Sequence, residues 1–93
     1  MSGSKYYLLK HTLYASIGGY VEDLDIIDIS YDRETLVELI RDILDDDNIT
    51  EINDMGVDEF EFNENDFKWT IEYKRYGMCM RDTVLYKILE RIE

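Results

Sequence analysis

The chain has no proline, one cysteine, one histidine and five glycines in 93 residues, and each scarcity removes a class of chemistry. The lone Cys79 cannot form an internal disulfide. With His11 as its single imidazole, the sequence lacks the clustered nitrogen and sulfur ligands of a transition-metal site. A phosphate-cradling loop is also missing, because Gly18-Gly19 runs into Tyr20-Val21-Glu22 and not into Lys-Ser or a capped helix. No apolar run approaches the roughly 18 residues of a membrane span, and the first thirty residues show no succession of basic, apolar and small residues of the kind a secretory signal needs. The expectation is an intracellular, cytoplasmic protein with no cofactor, no metal and no membrane association.

Basic residues are the other shortage: ten Lys and Arg stand against twenty-two Asp and Glu, a net charge of −12. The imbalance is local. Residues 22–66 hold eighteen of the carboxylates and only Arg33 and Arg41 as bases, a formal −16, while the two flanks sum to +4. Such a field attracts basic protein surfaces and repels nucleic acid phosphates, so direct nucleic acid binding is not expected. The 45% apolar content with 13% aromatics separates the chain from disordered acidic tails, which lack the apolar residues needed to offset the entropy of ordering. The length suits one domain with a modest core. Met1-Ser2-Gly3-Ser4 reads as a flexible terminus or an expression remnant, leaving residues 5–93 as a single α+β domain.

The periodicities predict a small antiparallel sheet with one packed helix, in the order β-β-α-β-β. Lys5 to Ala15 is rich in Tyr, Leu and Thr and alternates as a strand. A fairly long loop over Ser16 to Asp23 follows, then a strand over Leu24 to Ser30. Ser30 or Asp32 caps a helix from about Arg33, whose Leu36, Leu39, Ile40, Ile43 and Leu44 form one buried face. Beyond Asn48 the pattern weakens to a loop with a short strand. Asp66 to Arg75 alternates with Phe67, Trp69, Ile71 and Tyr73 on one side, and Tyr76-Gly77 makes a turn into Thr83 to Ile92. That last segment fits a strand through Val84, Tyr86 and Ile88, and also a helix through Leu85, Ile88, Leu89 and Ile92; the strand is preferred.

Two acidic clusters stand out. Glu34, Glu38, Asp42 and Asp46 recur every fourth residue, which places them in one helical row about 6 Å apart. Like charges so spaced oppose the helix, and Asp45, Asp46 and Asp47 crowd its C-terminal end, where the macrodipole favours cations. Helix stability therefore does not account for them; the alternative account is a solvated face kept polar for solubility. The second cluster, Asp58 to Asp66, alternates carboxylate with Phe60 and Phe62 and suits either an acidic outward face or a charged edge strand guarded against pairing. An EF-hand beginning at Asp45 would need an oxygen ligand and a glycine where the chain has Ile49 and Thr50, so that match fails. A chain this short leaves little room for a lined pocket, and no enzymatic activity is expected.

In its size, its −16 block from Glu22 to Asp66 and rows such as Asp42 to Asp47, the chain resembles small phage-encoded inhibitors of bacterial defence, including anti-CRISPR and anti-restriction proteins that mimic nucleic acid. Nuclease immunity proteins look alike at this level, and the resemblance rests on composition and element order. It implies carboxylates that occupy phosphate sites on a basic enzyme and exclude its substrate. Were it phage-encoded, the host cell cytoplasm would be its place. The expected function is a non-enzymatic inhibitor whose Glu34, Glu38, Asp42, Asp45, Asp46 and Asp47, with Asp58, Glu59, Glu61 and Glu64, engage Arg and Lys of a nucleic-acid-binding protein. The alternative is a general interaction or regulatory module that binds through Tyr, Trp or a sheet edge.

Overall fold

A computed structural model describes residues 3–45, 57–75 and 80–92. Five strands and one helix succeed one another as β1 (Ser4–Ser16), β2 (Gly19–Ser30), α1 (Arg33–Ile43), β3 (Asp58–Asn65), β4 (Lys68–Lys74) and β5 (Asp82–Ile92). The strands form one sheet in the order β2-β1-β5-β4-β3, antiparallel at every pairing.

This corrects the expected α+β arrangement in two ways. Among the described residues the order is β-β-α-β-β-β, and the sheet dominates, with a single helix of 11 residues beside it. The added strand is β3, in a segment whose Asp, Glu and Asn have low intrinsic strand preference. Its ladder with β4 from Glu61↔Glu72 to Asn65↔Lys68 supplies what its own residues do not. The long loop expected over Ser16 to Asp23 is instead a two-residue turn, Ile17-Gly18, and β2 begins at Gly19. Gly19 has φ 124°, a conformation that side chains disfavour. The Ser16 hydroxyl donates to its carbonyl at 2.7 Å and closes the turn. Residues 46–56 and the expected Tyr76-Gly77 turn lie outside the described residues.

The cross-strand register decides what each face carries. Tyr6, Leu8, Lys10 and Thr12 of β1 stand opposite Glu90, Ile88, Tyr86 and Val84 of β5. Tyr86 and Val84 in turn stand opposite Trp69 and Ile71 of β4. The helix packs on this face: Leu36, Val37 and Ile40 join Leu8, Trp69, Tyr86 and Ile88 in the core, with Tyr6, Leu39, Ile43, Leu44 and Val84 around them. Asp32 caps the helix, its carboxylate accepting from the Glu34 amide at 3.1 Å and the Thr35 hydroxyl at 3.3 Å, while the Ser30 hydroxyl accepts from the Asp32 amide.

Farther along, Asp82 is 1% exposed. It accepts from the Ala15 amide at 2.7 Å and pairs with Arg75, which also donates to the Ala15 carbonyl. The end of β1 is thereby fastened to β5 and to the residue after β4. Burial, then the nearby Asp82 and Tyr14, push the Tyr73 phenol above its ordinary value.

Ile40 lies at the centre of the helix contact, so Ile40→Ala is expected to cost about 2–5 kcal/mol, and Asp32→Ala about 1 kcal/mol through loss of the cap. Denaturant unfolding of the two variants checks both the size and the order of the effects.

Candidate protein-interaction surface

Helix α1 turns Leu36, Val37 and Ile40 inward, so Glu34, Glu38 and Asp42 are left exposed on its outer side. Glu34 lies in the first turn, where the dipole favours it, whereas Asp42 and Asp45 stand near the C-terminal end, where it does not. Asp45 is exposed just beyond the helix, and Asp46 and Asp47 lie outside the described residues.

The sheet adds carboxylates to the same side. Asp23, Asp25 and Asp28 of β2 stand opposite Thr12, Lys10 and Leu8, the β1 residues of the helix-covered face. All three are exposed. Asp28 accepts from the Ile29 amide at 2.8 Å. Asp25 faces Lys10 in the register, yet the Lys10 ammonium lies 5.8 Å from the centre of the Tyr86 ring, and neither Asp23 nor Asp25 has an ion-pair partner among the described residues. Sequence reasoning missed these three as candidates. The alternation of Leu24 to Ser30 held part of the signal, but a bulge at Ile27 breaks its phase, since Leu8 pairs with Asp28 and Leu9 with Ile26.

The second acidic cluster divides. Glu64 stands opposite Trp69 and so belongs to the helix side. It lines an open cleft of about 480 Å³ between α1 and the β3–β4 turn, with Glu34, Arg41, Asp66 and Trp69 among the other lining residues. The lining contains no hydroxyl, thiol or imidazole. Glu61 stands opposite Glu72, which stands opposite Thr83, a residue of the other face. There Arg81 reaches Glu72 at 3.0 Å, Glu61 at 3.4 Å and Glu59 at 3.5 Å, and Lys74 reaches Glu59 at 3.0 Å. A register shift between Asp58 and Glu61, with Glu59 at φ 53°, lets Glu59 join this network. Asp58 begins β3 opposite Lys74. The charges of Glu59 and Glu61 are thus countered within the chain.

Bases occur on both faces, Lys10, Arg33 and Arg41 on the helix side. Lys5, Lys87, Arg91 and Lys68 occupy the register positions of the face away from the helix. On the helix side, Arg33 is held between the Tyr6 and Phe67 rings, 5.0 and 4.6 Å from their centres, and pairs with Glu90 at 3.6 Å. Exposed carboxylates in this arrangement suit charge-assisted hydrogen bonds from guanidinium and ammonium groups. Among the described residues no three His, Cys, Asp or Glu side chains are grouped to hold a metal ion. Nor is any described helix long and apolar enough to cross a membrane.

No protein-family model, curated protein or solved structure matches the chain.

The hydrogen bond and charge of Lys74, followed by the charge of Arg81, hold the Glu59 carboxyl below its ordinary value of 4.5. A carboxyl depressed in the folded state contributes stability that is present above its unfolded value and lost as pH falls through its folded one. Melting temperatures recorded from pH 6 to about pH 3 are therefore expected to converge for the native chain and Glu59→Gln toward the acid end, with the native chain the more stable only above it.

Proposed function

We propose that this chain is a non-enzymatic acidic protein that binds the basic surface of a nucleic-acid-binding protein in the cytoplasm and acts as a nucleic-acid mimic or inhibitor, as an anti-defence protein of a phage would. The observation that carries this reading is the excess of carboxylates on one side: Glu34, Glu38 and Asp42 on the helix, Asp23, Asp25 and Asp28 on β2, and Glu64 across the cleft share it and outnumber its bases Lys10, Arg33 and Arg41, while Lys5, Lys68, Lys87 and Arg91 occupy the other. The helical row, with about 6 Å between carboxylates, matches roughly every second phosphate along a DNA strand. Exposed Asp23 and Asp25 on an edge strand add to a field that a basic groove would meet before contact.

A second reading, a general interaction module whose charge serves solubility, draws on the apolar residues of β2: Leu24 is 62% and Ile26 59% exposed. The two readings separate in salt. Affinity capture from a host lysate is expected to recover a nucleic-acid-binding protein whose retention falls at least about tenfold between low and high salt, and similarly on replacing Glu34→Gln, Glu38→Gln and Asp42→Asn together in a folded variant. Added duplex DNA should compete for the captured protein, and that protein should lose its own nucleic acid binding when this chain is bound. Retention that survives both salt and the triple substitution would sink the mimic and leave the module.

A further inference from the structure

We infer that the free edge of β2 is a strand-docking site for an extended segment of a partner protein in which basic and apolar side chains alternate. The inference rests on the reading of a basic partner and specifies where and how such a partner attaches.

Strand β2 is outermost in the sheet, 12 residues long, and exposed at every position from 20 to 29. An outer strand presents a row of unpaired N–H and C=O groups, a template for another strand. The opposite edge, β3, is shorter at 8 residues and is distorted at Glu59, whereas β2 keeps an unbroken register from Gly19 to Ile26 before its bulge. That regular stretch has two different sides. Asp23 and Asp25 stand toward the helix face; Tyr20, Leu24 and Ile26 stand toward the face that carries no helix, beside Ala15, His11 and Leu9 of β1. Glu22, also on the bare side, is taken up by His11.

Charge selects among possible occupants. β2 carries Glu22, Asp23, Asp25 and Asp28 and no base. A second copy laid antiparallel against it would bring one acidic strand against another, and like charges across a strand pair destabilise it. A segment with Lys or Arg facing Asp23 and Asp25, and apolar residues facing Leu24 and Ile26, forms opposite-charge pairs on one side and extends the apolar strip on the other.

The test uses a fluorescent synthetic octapeptide of alternating Lys and Val, a block-ordered peptide of the same composition, and a Glu-Val counterpart. Saturable binding of the alternating peptide alone, with amide-exchange protection mapped by NMR to β2, is the expected result. Asp23→Asn with Asp25→Asn should weaken it about tenfold, while the helix-row triple variant changes it by less than about threefold. Equal binding of the block-ordered peptide, or protection away from β2, overturns the docking site. Loss of peptide only in the helix-row variant also overturns it, while leaving the acidic surface as the place of partner binding. A dimer found by sedimentation at micromolar concentration with β2 protected overturns it in favour of a second copy. Peptide docking on β2 alongside a salt-resistant lysate partner keeps the edge and fails the nucleic-acid-mimic reading, so the two stand or fall separately.

Discussion

One helix of 11 residues has to cover a sheet of five strands, and its reach decides which surfaces the protein keeps for itself and which it leaves to solvent. Such a helix extends about 16 Å, whereas five strands span about 19 Å side to side and a strand as long as β1 runs about 43 Å. The helix therefore seals only the patch formed by Leu8, Trp69, Tyr86 and Ile88. Each side chain buried there contributes about 1.5–3 kcal/mol, which holds the centre of the sheet but does nothing for its far end. That end is held by Asp82, which binds both Ala15 and Arg75. A buried carboxylate is a poor source of net stability, because desolvation offsets most of the attraction. Its directional bonds fix where β1 meets β5, a position the apolar core does not reach.

The same packing sorts the charges. Strand residues alternate between faces, so once Leu8, Tyr86 and Trp69 turn toward the helix, Lys87 and Lys68 must turn away from it, and Asp23 and Asp25 follow Thr12 and Lys10 toward it. Two faces separated by the thickness of a sheet and its side chains, about 10 Å, lie farther apart than the screening length of about 8 Å at physiological salt. The acidic side is consequently not cancelled by the basic one.

What could be read from the sequence follows from which residues carried their own signal. The helix was legible because Leu36 and Ile40 repeat at helical spacing and Asp32 caps them, although half-buried Leu39 and Ile43 were given equal rank and buried Val37 was passed over. β1 and β4 were legible from aromatic and β-branched alternation, while β5 fitted a helix as well and only the preference for a strand was correct. β2 was cut short because Gly18-Gly19 opened what read as a loop through Asp23, whereas Leu24 to Ser30 kept an apolar pattern, although the whole strand from 20 to 29 is exposed. β3 was read only as a short strand within a loop and left out of the element order, because its pairing with β4 and not its own residues gives it order. For the site, the concentration of acid was visible in the count of residues, but its division was not. Glu61 lies three residues from Glu64, so alternation alone turns it to the opposite face and Arg81, while a shifted register and a positive φ at Glu59 bring that residue to Arg81 and Lys74 there as well.

An exposed edge with Leu24 and Ile26 beside it invites indiscriminate pairing, and the carboxylates of β2 answer that hazard and set its specificity at once. Repulsion between identical edges opposes the pairing of two copies along β2. For a basic strand the sign reverses, so the feature that blocks self-association favours the partner. On the proposed reading the two parts of the acidic side would contribute differently: the exposed helix row attracting from a distance with little directional preference, and a backbone ladder along β2 favouring a strand whose basic side chains fall in phase with Asp23 and Asp25. Only Tyr31 and Asp32 separate the end of β2 from the start of the helix, so a segment paired along the edge carries its neighbouring basic residues directly toward the helical row. On the proposed reading attraction and orientation would come from adjacent elements, and a ligand offering only charge or only an extended apolar strand would satisfy one of them without the other.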